Sequence, residues 1–186
     1  MPQRDEKTPD GQDAYAALAR RAIVHWLTHE EIMKPPPDLP AEMLQKKAGV
    51  FVTLFEKKPR GGEEFRGCLG SIWPKRENLA TEIISIAIAS SQEDPRCVPV
   101  RLDEMERVEI SVSVLEEPVP VESRDELDPR VFGVVVRAGH SQGVLLPDLP
   151  GVDTVDQQLE IAARKAGLRV SEIEQILRFR VEKHVG

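Results

Sequence analysis

Residues 49–71 read GVFVTLFEKKPRGGEEFRGCLGS, two apolar runs joined by a charged turn. The first run, GVFVTLF (49–55), has the β-branched and aromatic content of a buried strand. The middle, KKPRGGEE (57–64), carries Pro59 and the pair Gly61-Gly62 among charges, the composition of an exposed loop. From Phe65 to Ile72 the chain is apolar again, so the two runs predict a hairpin. A hairpin means antiparallel strands, and that decides the fold class.

Working outward, RVEISVSVL (107–115) alternates Val108, Ile110, Val112 and Val114 with Glu109, Ser111 and Ser113. That period of two marks a half-buried strand. FGVVVRA (132–138) and GVLLP (143–147) flank Gly139-His140-Ser141-Gln142 and predict a second hairpin. Ile176, Leu177, Phe179 and Val181 read as a last strand, with Arg178, Arg180 and Glu182 facing out. Three helices separate these strands. Residues 13–30 repeat apolar side chains at helical spacing, with Asp13 as cap. Residues 79–91 do the same behind Asn78 and stop before Asp94-Pro95. Residues 154–166 follow Asp153 or Thr154 as cap and end at Gly167. Pro35-Pro36-Pro37 and Pro40 force an extended connection after the first helix. Helices and strands mix without βαβ regularity. The class is therefore α+β, helices packed on a mainly antiparallel sheet.

The bulk numbers bound the function. The chain has 186 residues, 25 Lys and Arg against 32 Asp and Glu, and a net charge of -7. A surface that coats DNA or RNA needs a basic field, so neither nucleic acid is expected as a partner. No run of about 18 apolar residues exists to span a membrane. The N-terminus, MPQRDEKTPDGQD, has no apolar core of a secretory signal. Residues 1–12 read as a flexible tail, and 13–186 as one domain. Two cysteines do not make a disulfide framework, so a reduced, cytoplasmic setting is expected.

Motifs of known mechanism are absent, with no Walker loop, GxGxxG, HExxH or GxSxG. No cofactor is implied, and two cysteines do not ligate an iron–sulfur cluster conventionally. His25 and His29 stand four apart on the first helix, a spacing that can grip zinc, but no third ligand accompanies them and no metal is expected. The thiol of Cys68 is the main chemical candidate. Gly67 and Gly70 beside it remove side-chain cover and predict a bulge, or a close approach by a ligand or another backbone. Arg66 lies two residues away, which strand alternation places on the same face as Cys68, where it would favour a thiolate. A buried, merely packed cysteine is the competing reading. Glu93-Asp94-Pro95-Arg96 projects charges at a chain reversal, where Asp94 and Arg96 pair with each other or with Arg66. Leu146-Pro147-Asp148 precedes the last helix, and Asp148 is a further acid there.

Together the stretches GVFVTL (49–54), FRGCLGS (65–71), EDPRCVPV (93–100), EISVSVL (109–115) and GVLLPDLPGVDTVDQQLEIAARKAGL (143–168) resemble the AMMECR domain family in order and spacing. The last is similar to its bacterial branch, the AmmeMemoRadiSam system protein A. The resemblance covers roughly residues 13–183. It implies an α+β domain of two unequal subdomains around a cleft, with a Memo-like protein and a radical SAM protein as partners. It marks Arg66, Gly67, Cys68, Leu69, Gly70 and Ser71 as the hallmark motif, Asp94, Pro95 and Arg96 as a second, and Leu146 and Pro147 as a third. Many relatives carry an aromatic residue at the position of Cys97, which makes Cys97 a packing residue.

Two readings follow. In one, Cys68 is the reactive group, Arg66 and Arg96 stabilise an anion or thiolate, and Gly67 and Gly70 supply backbone donors. Gly67, Gly70, Ser71, Leu146, Pro147 and Asp148 then line a cleft for a small anionic substrate. In the other, the domain is a non-enzymatic interaction module that holds a partner segment, the glycines serve close packing, and Cys68 fills space.

Overall fold

The computed structural model describes residues 13–186, so the tail expected over 1–12 lies outside the described residues. The chain divides into two units, one running to Val114 and taking back Lys183–Gly186, the other covering Leu115–Glu182. Each has a four-stranded sheet and its own helices, an α+β architecture.

In the first unit, β1 (Val50–Lys57) and β2 (Glu63–Ser71) form the predicted hairpin, and β3 (Val108–Leu115) pairs antiparallel with the other side of β1. The sheet order is β2-β1-β3-β8, with β8 (Val181–Val185) at the far edge. Val50, Val52 and Leu54 are fully buried on one face of β1, matched by Val108, Ile110, Val112 and Val114 of β3. The helix α3 (Leu79–Gln92) packs on β1 and β2, and α1 (Ala14–His29) packs on α3. A short α2 (Ala41–Gln45) lies against α3 as well. Ile83, Ile84, Ala87 and Ile88 form the buried stripe of α3. Asn78 accepts from the Thr81 N–H at 2.9 Å, and the Thr81 hydroxyl accepts from the Asn78 N–H at 3.3 Å. Such a cap contributes about 1 kcal/mol.

Asp13 caps α1 as predicted, accepting from the Tyr15 and Ala16 N–H groups at 2.9 and 3.0 Å. Its second carboxylate oxygen stands 2.7 Å from Nδ1 of His184 on β8. The His184 ring stacks on Tyr15 with centroids 3.8 Å apart. Ile110 and Gly186 exchange both backbone hydrogen bonds at 3.0 Å. Residues near the two extremes of the described chain are thus joined in one core.

The second unit orders its strands β4-β7-β5-β6, all antiparallel. These are β4 (Val119–Pro120), β5 (Gly133–Ala138), β6 (Ser141–Leu145) and β7 (Gln175–Phe179). The helix α4 (Val155–Lys165) covers β5 and β6, burying Leu159 and Ala162 against Val134, Val136 and Leu145. Close approach requires Gly143, where an added Cβ would stand 2.0 Å from the Ala162 carbonyl oxygen. Thr154 is the cap of α4, and Gly167 after it has φ +71°.

Two expectations are corrected. The hairpin turn shrinks to Gly139-His140, because Ala138 already pairs with Ser141 and Arg137 with Gln142. Gly139, at φ +54°, takes the left-handed conformation that so tight a turn demands. The single last strand is two, broken at Arg180, with β7 in one sheet and β8 in the other. Alternation runs through the break and hides it. No helix among the described residues is long and apolar enough to cross a membrane.

Candidate functional site

The hairpin register contains the key local event. Leu54 opposes Gly67 and Phe55 opposes Phe65, which leaves Arg66 as an extra residue on β2. This is a β-bulge. Gly67 has φ +142°, outside the range of ordinary side chains, and an added Cβ would stand 2.0 Å from the Ser90 carbonyl oxygen on α3. The glycine therefore lets α3 sit directly on the strand. Gly70 serves a comparable end on the opposite face, where a Cβ would fall 2.3 Å from the Phe51 ring.

Because of the bulge, Arg66 does not follow the alternation that was to set it beside Cys68. Its guanidinium is buried and donates to Glu104 through Nη1 at 2.8 Å and Nη2 at 3.1 Å, to Glu56 at 3.2 Å and to the Val98 carbonyl at 3.4 Å. Glu56 also pairs with Lys58 and Arg107. Hydrogen bonds from Lys58 and Arg107, with a smaller one from Arg66, hold its carboxyl down at about 2. Hydrogen bonds from Arg66 likewise lower Glu104, and Glu104 raises Arg66 above its ordinary value.

Cys68 opposes Thr53 on the face of the sheet turned away from α3, and the Thr53 hydroxyl donates to Sγ at 3.0 Å. The residue is half-buried, with Phe55 and Phe65 on the same face in an edge-to-face pair 5.7 Å apart. Its backbone points off the edge of the sheet and is gripped there. The Cys68 N–H donates to Asp94 Oδ2 at 2.8 Å, and the Cys68 carbonyl accepts from Arg96 Nη2 at 2.9 Å. The two side chains do for β2 what another strand would do, so its edge is closed to foreign strands at this point.

Asp94 and Arg96 also hold each other. Arg96 Nε donates to Oδ1 at 2.9 Å, Nη2 to Oδ2 at 2.6 Å, and the Arg96 N–H to Oδ1 at 3.0 Å. The Asp94 side chain is 1% exposed and that of Arg96 61%. Hydrogen bonds from Arg96, then from the Cys68 N–H, keep the Asp94 carboxyl far below the usual carboxylate range, against the cost of burial. Arg96 is raised in turn, first by Asp94, with smaller contributions from Cys68 and Cys97. Its Cζ atom lies over the Phe65 ring, 4.9 Å from the centroid. Arg96 has five N–H donors, and the bonds above use Nε and both positions of Nη2. Nη1 remains without a hydrogen-bond partner among the described residues.

Ser71, expected to line a ligand cleft, is buried, and its hydroxyl donates to Glu82 Oε1 at 2.6 Å. The other Glu82 oxygen accepts from the Lys75 and Arg76 N–H groups at 2.8 Å each. Glu82, Glu56, Glu104 and Ser90 carry this region and were not singled out in the sequence. Ser90 accepts from the Leu69 N–H at 3.0 Å. Glu82, with Ile83 and Ser90 on one helix face, was legible as an acid at a core position. Glu56 and Glu104 have local partners in Lys58 and the Arg101 N–H, but their meeting with Arg66, and that of Ser90 with β2, is tertiary.

Cys97 is half-buried near the Phe65 carbonyl, and burial pushes its thiol up. Both cysteines are free thiols. Gly67, Cys68, Asp94 and Arg96 thus come together in the first unit. Leu146, Pro147 and Asp148 belong to the second, just after β6. There the Asp148 N–H donates to the Pro129 carbonyl at 2.8 Å, and Asp148 has φ +55°. His25 and His29 are neighbours with ring centroids 4.7 Å apart, and no group of three or more metal-ligating side chains occurs among the described residues.

A family model described as AMMECR1 matches residues 16–184. A Thermotoga maritima protein is 41% identical over 175 residues, covering 94% of this chain and 98% of that protein. Protein CA_C1420 of Clostridium acetobutylicum is 42% identical over 180 residues, covering 96% of this chain but 37% of its own length. The crystal structure of uncharacterized protein PH0010 from Pyrococcus horikoshii superposes with a TM-score of 0.83 at 31% identity, covering 96% of this chain and 92% of that one.

Proposed function

The chain belongs to the AMMECR1 family, and from that premise we propose that it is a binding component of a cytoplasmic Memo- and radical-SAM-associated pathway. In this reading it holds a small anionic substrate or an anionic partner segment beside Cys68, with the Cys68 thiol as a functional group. The observation that carries it is the Arg96 guanidinium. Asp94, the Cys68 carbonyl and the Phe65 ring fix its position, the side chain is 61% exposed, and the two Nη1 N–H groups have no hydrogen-bond partner among the described residues, on a residue bonded to the backbone of a free cysteine. A donor held in place before the ligand arrives costs little ordering on binding. Arg66 takes no part, since its donors are spent on Glu56, Glu104 and Val98. The pathway assignment draws on the family resemblance. In the Clostridium relative the matching segment makes up 37% of a longer polypeptide.

A second reading, the interaction module in which Cys68 only packs, is favoured by one observation. Gly67 and Gly70 meet Ser90 and Phe51 closely, so packing alone accounts for both. Alkylation of the native protein with iodoacetamide, mapped by mass analysis across pH, separates the two. The functional-thiol reading expects Cys68 to be modified in the folded protein ahead of Cys97, and to be protected by co-purified pathway partners. Modification of both cysteines only after denaturation overturns it. Full pathway activity in Cys68→Ala, with loss of partner binding in Arg96→Met, would select the module.

A further inference from the structure

Far from the Cys68 edge in sequence, the C-terminal half of α1, the turn after it and the start of α3 share an apolar surface with two adjoining grooves. One, of about 460 Å³, is lined by Arg20, Arg21, Val24, His25 and Met33 among others. The second, of about 410 Å³, runs from Ile32 and Met33 to Lys75, Arg76 and Ser85. Met33 borders both. Ile32 is 66% exposed, a large apolar side chain left in water at the junction.

The charges lining these grooves are mostly basic. Elsewhere in a chain with more acids than bases, Arg101, Arg107, Arg124, Arg130 and Arg169 each meet a carboxylate. Arg20, Arg21, Lys75 and Arg76 line the grooves, and no ion pair forms at Arg21, Lys75 or Arg76 among the described residues. Arg20 is occupied by the carbonyls of Met105 and Val108 at 2.6 Å and by the Gly186 oxygen at 3.3 Å, whereas Arg76 donates to the Ser85 hydroxyl at 3.0 Å, a neutral acceptor that leaves its charge uncancelled. Glu77 is the one acid in the lining of either groove, and Glu30 and Glu31 lie in the intervening turn but line neither.

We infer that this face docks an acidic amphipathic helix from a partner protein, its apolar side chains entering the two grooves and its carboxylates meeting Arg21, Lys75 and Arg76. Charge complementarity selects the sign of the partner. The lining selects its conformation. Much of it is helical, and the backbone of a helix is already hydrogen-bonded internally, so it offers an extended peptide no ladder to join. A helix arrives with its own backbone satisfied and presents anchors at successive turns. Two concave grooves also fit discrete side chains better than they fit the continuous surface of a membrane.

The inference does not depend on Cys68 chemistry, and its test is separate. The probe is a synthetic peptide of about 18 residues, long enough for several helical turns. It carries leucine at every third and fourth position and glutamate between, and is titrated onto the full chain by fluorescence anisotropy. Saturable binding is expected, weakened about tenfold or more by the triple variant R21E/K75E/R76E and by high salt. A peptide with lysine for glutamate should not bind. Thermal unfolding of the triple variant, and its rate of Cys68 alkylation, should match the parent, since these are exposed side chains on another part of the unit. No binding up to about 1 mM, the weak end of specific recognition, overturns the inference. So does binding that ignores the triple variant, or a surface that takes up phosphatidylglycerol vesicles and leaves the peptide free.

Discussion

Two arginines flank the same short motif and meet opposite fates. Arg66 lies on β2 itself and is buried, with its terminal nitrogens bonded to Glu104, Glu56 and Val98. Arg96 comes from a loop and is 61% exposed, yet it is the one that touches Cys68, through the carbonyl. The sequence reading expected both at the thiol, with Arg66 brought there by strand alternation. The difference lies in one inserted residue. The bulge rotates Arg66 out of register with Cys68, and Asp94, two residues before Arg96, fixes that arginine in its place. A cation near a thiol in sequence is therefore structural here, and the cation with donors to spare is 28 positions away.

The comparison breaks most severely at Gly67. Gly67→Ala adds a Cβ 2.0 Å from the Ser90 carbonyl and imposes a side chain at φ +142°. Strain and overpacking together should cost about 3–5 kcal/mol, read as a lower denaturant midpoint, with the Arg66–Glu104 pair disordered. Next comes Arg66→Met, which leaves acids behind without their buried cation and should destabilise by about 3 kcal/mol. The rate of Cys68 alkylation in the folded protein should hardly move. Arg96→Met should show the opposite balance, about 1 kcal/mol in stability and a clear change in the reactivity of Cys68. Equal stability losses for the two arginine variants would erase the contrast.

A smaller effect sharpens the comparison through pH. The Asp94 carboxyl sits below its ordinary value of 3.8, so the stability it provides is complete above that value. That contribution drains away as pH falls through the lower native value. Asp94→Asn should therefore be less stable than the parent at pH 7 and should lose less between pH 5 and pH 2. Glu56, held at about 2 against an ordinary 4.5, adds to the same acid limb from the Arg66 side. The smallest change is Thr53→Val, which removes the hydroxyl donated to Cys68 Sγ. Stability should shift by less than about 1 kcal/mol, while the rate of Cys68 alkylation at a fixed pH changes. An unaltered rate would assign Thr53 to packing.

Much of the fold was legible because it rests on local rules. The alternation in RVEISVSVL, the two runs around KKPRGGEE, and the caps at Asp13, Asn78 and Thr154 each state their structure within a few residues. The glycines at 67 and 70 point to a bulge or a close approach without saying which residue is displaced. The consequence for Arg66 was missed, because alternation counts residues and a bulge adds one. The split at Arg180 escaped for the related reason that both strands keep the same period across it. At the site, the pairing of Asp94 with Arg96, two residues apart, is one of the two the sequence offered, and the other, with Arg66, does not form because Arg66 is bound to Glu56 and Glu104. The grip of Asp94 and Arg96 on the Cys68 backbone spans 26 and 28 residues and has no local signature. The acids that neutralise Arg66 stand 10 and 38 residues from it, at positions 56 and 104.

The clasp between Asp13 and His184 has a bearing on how the molecule is made. The first sheet takes its outermost strand from residues that follow the whole of the second unit. On a ribosome, the part begun earliest is therefore the part finished last. Until residues 183–186 emerge, Ile110 has no Gly186 to bond, Arg20 has one carbonyl fewer to hold, and Tyr15 has no imidazole to stack on. The nascent protein must wait with that hydrophobic seam open while the later-encoded half is already complete.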